Sequence, residues 1–210
     1  MLIRGIMVKK QDVSFLSQDD TLKQALTRLE EKGYTTFPVL DGNKFSGIIT
    51  RRKIFETFFK GNFSDREEFL NTMRVKDILI DELETVSYDA LFDETMVKLM
   101  SSRYDFLPVV SEENGEFMGI VTRNNILKTF EKGMGLDKKS YKLSIIVNDF
   151  KGTLARLTSL IAENDANIVG MATFDAEVMN LKFVELKVDT GNINELRENL
   201  RKNGFKVWEG

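Results

Sequence analysis

The sequence predicts a mixed α/β and α+β protein, with two copies of a βαββα unit followed by a smaller βαββαβ domain. Three observations predict it. The only two prolines, Pro38 and Pro108, close the same phrase 70 residues apart, and a fixed period marks one supersecondary unit used twice. Within each copy, apolar residues switch between helical and strand spacing. Beyond a glycine-bearing linker the pattern changes and the repeat does not return.

The repeat holds position by position. Leu16, Ser17, Asp19, Leu22, Leu26, Leu29, Tyr34 and Phe37 align with Val86, Ser87, Asp89, Phe92, Met96, Leu99, Tyr104 and Leu107 at an offset of 70. After the proline the second copy is two residues longer, and Gly47-Ile48-Ile49-Thr50-Arg51 returns as Gly119-Ile120-Val121-Thr122-Arg123. Ile3, Ile6 and Met7 are echoed by Val75, Ile78 and Leu79 at an offset of 72, so each repeat has its own lead-in segment.

In chain order, Leu22, Ala25, Leu26 and Leu29 form the apolar stripe of a one-sided helix. Ser17 to Asp20 supply capping and dipole-compatible residues before it, and Gly33 ends it as a left-handed residue. Phe37 to Leu40 and Phe45 to Ile49 read as strands joined by the turn Asp41-Gly42-Asn43. Thr50 opens a second helix carrying Ile54, Phe55, Phe58 and Phe59. Gly61 to Met73 is polar with isolated Phe63, Phe69 and Leu70, which predicts a connecting helical segment. The second repeat follows the same plan, with Glu112 to Glu116 as its longer hairpin turn.

Gly133 to Lys139 reads as a linker. Then Leu143, Ile145 and Val147 alternate as in a half-buried strand, and Leu154, Leu157, Thr158 and Ile161 have helical spacing. Asn167 to Phe174 and Leu181 to Val188 read as strands, Ile193, Leu196 and Leu200 as a helix, and Phe205 to Trp208 as a closing strand. This order is that of a ferredoxin-like domain. The boundaries are 1–60 and 75–133 for the repeats, 61–74 for the connecting segment, 134–140 for the linker and 141–210 for the last domain.

Composition narrows the function. The 210 residues contain no cysteine and no histidine, which removes thiol chemistry, the commonest general base and the commonest metal ligand. No catalytic residue, catalytic cofactor or metal site is expected, and the chain is read as a non-enzyme. A net charge of -3 with interspersed signs disfavours a nucleic-acid partner. No apolar run approaches the ~18 residues of a membrane span, and no signal-peptide core precedes the repeats. A cytoplasmic protein without membrane partners is expected.

The duplicated phrases Leu16-Ser17-Gln18-Asp19-Asp20-Thr21-Leu22, Tyr34 to Leu40 and Gly47 to Lys53, with their counterparts up to Asn125, resemble a pair of CBS domains, a Bateman module. Asn148-Asp149-Phe150-Lys151-Gly152-Thr153-Leu154 and Ala166-Asn167-Ile168 resemble an ACT domain, with Lys151 where that family usually has proline. The CBS-plus-ACT order is similar to acetoin-utilisation proteins. The resemblance implies an adenine-nucleotide ligand between the repeats, with Thr50 and Thr122 on phosphate. It places Phe15, Thr85 and the segments around Tyr34, Thr35, Phe37, Pro38 and Tyr104, Phe106, Pro108 at the base. It further implies a homodimer, a regulated partner protein, and an amino-acid site at Asp149, Phe150, Gly152, Thr153 and Leu154. A dimerisation or relay role is the stronger expectation for this last domain.

The family pattern usually has aspartate three residues after the threonine, to accept bonds from the ribose diol, and here those positions are Lys53 and Asn125. Arg51, Arg52, Lys53 and Arg123 instead add donors suited to phosphate. A phosphodiester lacking a free 3′-hydroxyl fits, and the phrase Gly33 to Pro38 with its Thr-Arg-Arg turn is similar to CBS proteins that bind cyclic di-AMP. AMP, ADP or ATP is the second expectation, followed by S-adenosylmethionine or no ligand. Plainer readings stand beside these. Thr50 and Thr122 also suit helix N-caps, Arg51 to Lys53 a solvated first turn, Tyr34 and Tyr104 strand edges, and Asp149 to Leu154 a strand-to-helix turn. A ligand-free scaffold or an enzyme's regulatory subunit is the alternative function.

Overall fold

The computed structural model describes residues 1–61, 63–178 and 180–208. Asn62 of the predicted connecting segment and Met179, Glu209 and Gly210 of the predicted last domain lie outside the described residues. The chain forms two compact units, Met1–Ile126 and Leu127–Gly210.

In the first unit, β1 (Val8–Lys9) precedes the first repeat, which runs β2 (Leu16–Ser17), α1 (Leu22–Lys32), β3 (Thr36–Asp41), β4 (Lys44–Thr50) and α2 (Arg51–Lys60). After α3 (Arg66–Thr72), the second repeat runs β5 (Val86–Ser87), α4 (Phe92–Ser101), β6 (Phe106–Val110) and β7 (Phe117–Thr122), and its last helix, α5 (Arg123–Gly133), crosses the boundary between the units at Ile126. In each repeat the first strand pairs parallel with the second, and the second pairs antiparallel with the third. The stripe predicted on α1 is buried, and Gly33 ends the helix at φ 65°. The cap differs from expectation: Thr21 accepts from the Gln24 backbone N–H and Gln24 returns the bond, closing a capping box. Asp20 instead accepts from the Ser17 backbone, which tightens the preceding turn.

The lead-in segments do not pack where their chain position suggests. Ile3 is buried in the core of the second repeat with Leu99, Leu107 and Val121, while Val75 and Ile78 are buried in that of the first with Leu16, Leu29 and Val39. β1 pairs antiparallel with β7, and Ile48 and Ile80 exchange backbone hydrogen bonds of 2.8 Å in each direction. The physical reason is edge closure: β4 and β7 would each present an unpaired edge, and the other repeat's lead-in covers it. This crossing explains Gly47 and Gly119. A Cβ at position 47 would lie 2.6 Å from the Ile80 carbonyl oxygen, and one at 119 would overlap the Val8 carbonyl.

The second unit contains β8 (Tyr141–Asn148), α6 (Thr153–Glu163), β9 (Asn167–Asp175), β10 (Leu181–Asp189), α7 (Ile193–Lys202) and β11 (Lys206–Trp208). The sheet order β11-β8-β10-β9, antiparallel throughout, is the ferredoxin-like arrangement. Alternate residues Leu143, Ile145, Val147 and Val184, Leu186, Val188 meet Leu157, Ile161, Leu196 and Leu200 in its core. The segment after α5 lies against β9, where a Cβ at Gly170 would overlap the Met134 carbonyl.

Candidate functional site

Two clefts lie between the repeats, at matching places: Thr50, Tyr104 and Ile80 in the first correspond to Thr122, Tyr34 and Val8 in the second. The first, of about 800 Å³, is built on the β4–α2 turn and on residues just after and between the second repeat's lead-in and β6. Thr50 is extended (φ -120°, ψ 150°) and caps α2, its Oγ1 accepting from the Lys53 backbone N–H at 2.9 Å. The Arg51 backbone N–H donates to the Thr35 carbonyl at 3.1 Å, tying the turn to the start of β3. Thr35, Thr50, Arg51, Arg52 and Lys53 thus line one cavity, with Arg103 and Tyr104 from the other repeat.

The electrostatics of this cleft are uncompensated. Arg52 reaches Glu56 at 3.3 Å but is 86% exposed, so the pair is weak. Arg51, Lys53 and Arg103 enter no ion pair among the described residues. The Arg51 Nε is buried without a hydrogen-bond partner. A buried donor left unmade costs about 1–3 kcal/mol, and cations at a helix N-terminus oppose its dipole. An anion in the cleft relieves both.

The second cleft, of about 480 Å³, is lined from the first repeat by Asp12, Val13 and Ser14 and by Tyr34, Thr35, Phe37 and Pro38. The second repeat contributes Asp105, Phe106, Ile120, Thr122 and Asn124. Its turn is closed on itself. The Thr122 hydroxyl donates to Asn125 Oδ1 at 2.6 Å and accepts from the Asn125 backbone at 3.1 Å, while the Thr122 N–H donates to the same Oδ1 at 3.0 Å. Arg123 donates to the Ser102 carbonyl at 2.8 Å and lies 3.6 Å from Asp105.

Several sequence candidates line neither cleft. Phe15 is 38% exposed, because strand alternation gives the core to Leu16 beside it. Thr85 lines a separate cavity of about 470 Å³ with Ser87, Asp89 and Glu94. Pro108 is buried in β6, Arg123 is engaged with the loop before β6, and Asn125 serves as a cap. Sequence reasoning missed Arg103, Asp105 and Asn124. Matching them by offset to Gly33, Thr35 and Arg52 would have exposed the charge differences between the turns.

In the second unit, Phe150, Gly152 and Thr153 line a cavity of about 500 Å³ together with Lys151, Arg156 and Lys206. Asp149 and Leu154 do not line it. Asp149 pairs with Lys182 at 2.9 Å, so the carboxylate expected to meet an amino-acid ammonium already has a cation. Arg156 stacks 4.8 Å from the Phe205 ring centroid and donates to the Asn203 carbonyl. Among the described residues, no cluster of three or more His, Cys, Asp or Glu is placed to hold a metal ion, and no helix is long and apolar enough to cross a membrane.

Comparison with known proteins places these features. The CBS domain matches residues 3–60 and 75–132, and the ACT domain matches 141–205. Inosine-5′-monophosphate dehydrogenase of Methanocaldococcus jannaschii is 26% identical over 201 residues, covering 95% of this chain but only 36% of that protein. The chain therefore spans about a third of that relative's length. The crystal structure of CbpB in complex with c-di-AMP superposes with a TM-score of 0.57 at 25% identity, over 62% of this chain and 85% of that one. CBSX2 in complex with AMP shares the fold at 22% identity with a TM-score of 0.52, over 61% and 95%. CBS and ACT domains are regulatory modules, and the chain belongs to the CBS-domain family, as a tandem CBS pair followed by an ACT domain.

Proposed function

We propose that this chain is a ligand-sensing regulatory protein whose CBS pair binds an adenine nucleotide by its phosphates in the first cleft and relays occupancy to a partner protein. The observation that carries this reading is the cleft's cationic turn, with a buried Arg51 Nε that has no partner. The cavity, about 800 Å³, is within the usual range for small-ligand sites. Lys53, where the family's aspartate usually accepts from a ribose diol, favours a phosphodiester over a free 2′,3′-diol. Cyclic di-AMP is the first candidate and AMP, ADP or ATP the second. The relative solved with c-di-AMP supports the same choice.

The chain itself is a non-enzyme in this reading, and any catalysis belongs to the regulated partner. It acts in the cytoplasm as a homodimer, without nucleic-acid or membrane partners. The ACT domain serves dimerisation or relay rather than amino-acid capture, supported by the cationic lining of its cavity and the prior engagement of Asp149. A ligand moves the equilibrium only by binding one state more tightly than the other. Isothermal titration with cyclic di-AMP, ATP, AMP and S-adenosylmethionine tests the assignment. Micromolar binding corresponds to about -8 kcal/mol. Selective cyclic di-AMP binding that is lost in Arg51→Ala is the expected result. Preference for ATP or AMP would make it an energy sensor, and silence from every ligand would leave the scaffold reading.

A further inference from the structure

We infer that the two clefts are not equivalent: an anionic nucleotide occupies only the first, one per chain, and Asp105 and Asn124 are the residues that keep it out of the second. This rests on the nucleotide reading above and assigns its stoichiometry and selectivity. The clefts descend from one repeated unit, so each wall residue has a counterpart to compare.

The lining charges are opposed. The first cleft presents four cations, Arg51, Arg52, Lys53 and Arg103, against the single carboxylate of Glu56. The second presents Asp12 and Asp105 and no cationic side chain. At matched positions, Thr35 becomes Asp105 and Arg52 becomes Asn124. Arg123, counterpart of Arg51, is spent on the Ser102 carbonyl and Asp105, whereas the Arg51 guanidinium keeps a donor in hand.

The threonines differ in the same sense. Thr50 Oγ1 accepts from the Lys53 backbone, and its proton has no acceptor among the described residues, so it can donate to a phosphate oxygen. Thr122 Oγ1 already donates to Asn125 Oδ1. A phosphate there would meet a hydroxyl without a proton to give, the Asp12 carboxylate, which has no ion pair among the described residues, and Asp105, whose exposed 3.6 Å pair with Arg123 screens it only weakly. A second-site affinity at least ~100-fold weaker than the first follows.

The test is titration of the full chain with cyclic di-AMP and, separately, ATP, reading stoichiometry per chain. Wild type is expected to bind one nucleotide, with binding lost in both Arg51→Ala and Arg51→Gln. Asp105→Thr combined with Asn124→Arg, which copies the first cleft's residues into the second, is expected to raise the stoichiometry to two. Circular dichroism confirms that each variant is folded. Two nucleotides per wild-type chain would overturn this inference while leaving the nucleotide reading standing, whereas one that survives both Arg51 changes would overturn the assignment to the first cleft in both. A double variant that stays at one would overturn the charge-exclusion argument. No binding by wild type would sink the nucleotide reading and this inference together.

Discussion

Arg51 shows how the residue proposed to bind the nucleotide burdens the unliganded fold. Its Nε is buried without a partner at the positive end of α2, beside two further cations. Arg51→Met keeps the aliphatic packing of the stem and removes both penalties. It should therefore raise the urea midpoint of the free protein, by about 1 kcal/mol of stability, while abolishing nucleotide binding. A variant that destabilises the free protein would mean that Arg51 has a structural partner. Thr122 makes the opposite case. Its hydroxyl is committed to Asn125 in both directions, so Thr122→Ala should cost about 1 kcal/mol in a denaturant titration and leave nucleotide affinity unchanged. Both residues were readable as either caps or phosphate ligands from sequence. Both are caps in the structure, and the side chain three residues on, Lys53 or Asn125, determines whether the hydroxyl proton is already used.

At the scale of elements, the helices and strands were legible because their stabilisation is largely local. The α1 stripe, the Gly33 stop and the alternating β8 residues each state a period within a dozen positions. The exchanged lead-ins were not legible, since pairing across a sheet edge leaves no local period. The glycines at 47 and 119 were visible as repeat markers, but their cause lies in the opposite repeat. Gly47→Ala should displace the Ile80 backbone and cost about 2–3 kcal/mol, read as a lower urea midpoint. In the ACT sheet, Glu185 gives a pH prediction. Partial burial pushes its carboxyl up, but hydrogen bonds from Lys142 and Ser144 outweigh this and hold it below the ordinary value of 4.5. A carboxylate with a depressed folded value stabilises above its unfolded pKa, and that contribution fades as the pH falls through the folded one. Wild type should accordingly melt above Glu185→Gln near pH 7, with the gap closing in acid below the ordinary glutamate value.

For the whole molecule, the sensing proposal requires that occupancy at the CBS pair alter something beyond it. α5 starts at the Thr122 cap and runs to Gly133, and the chain then places Met134 and Gly135 against Gly170 of β9. That seat is specific, because any side chain at 170 would overlap the Met134 backbone. A relay through this segment predicts that saturating nucleotide changes amide hydrogen exchange in residues around Met134 and in β9, in addition to the cleft. Gly170→Ala should unseat the segment, retain nucleotide affinity within about threefold, and abolish the β9 response. Ligand at 100 times its dissociation constant adds about 2.7 kcal/mol to the stability of whatever unfolds with the site. A relay spreads part of that protection into β9, whereas a ligand effect confined to residues 1–126 would restrict the sensor to the CBS pair and leave the ACT domain to dimerisation alone.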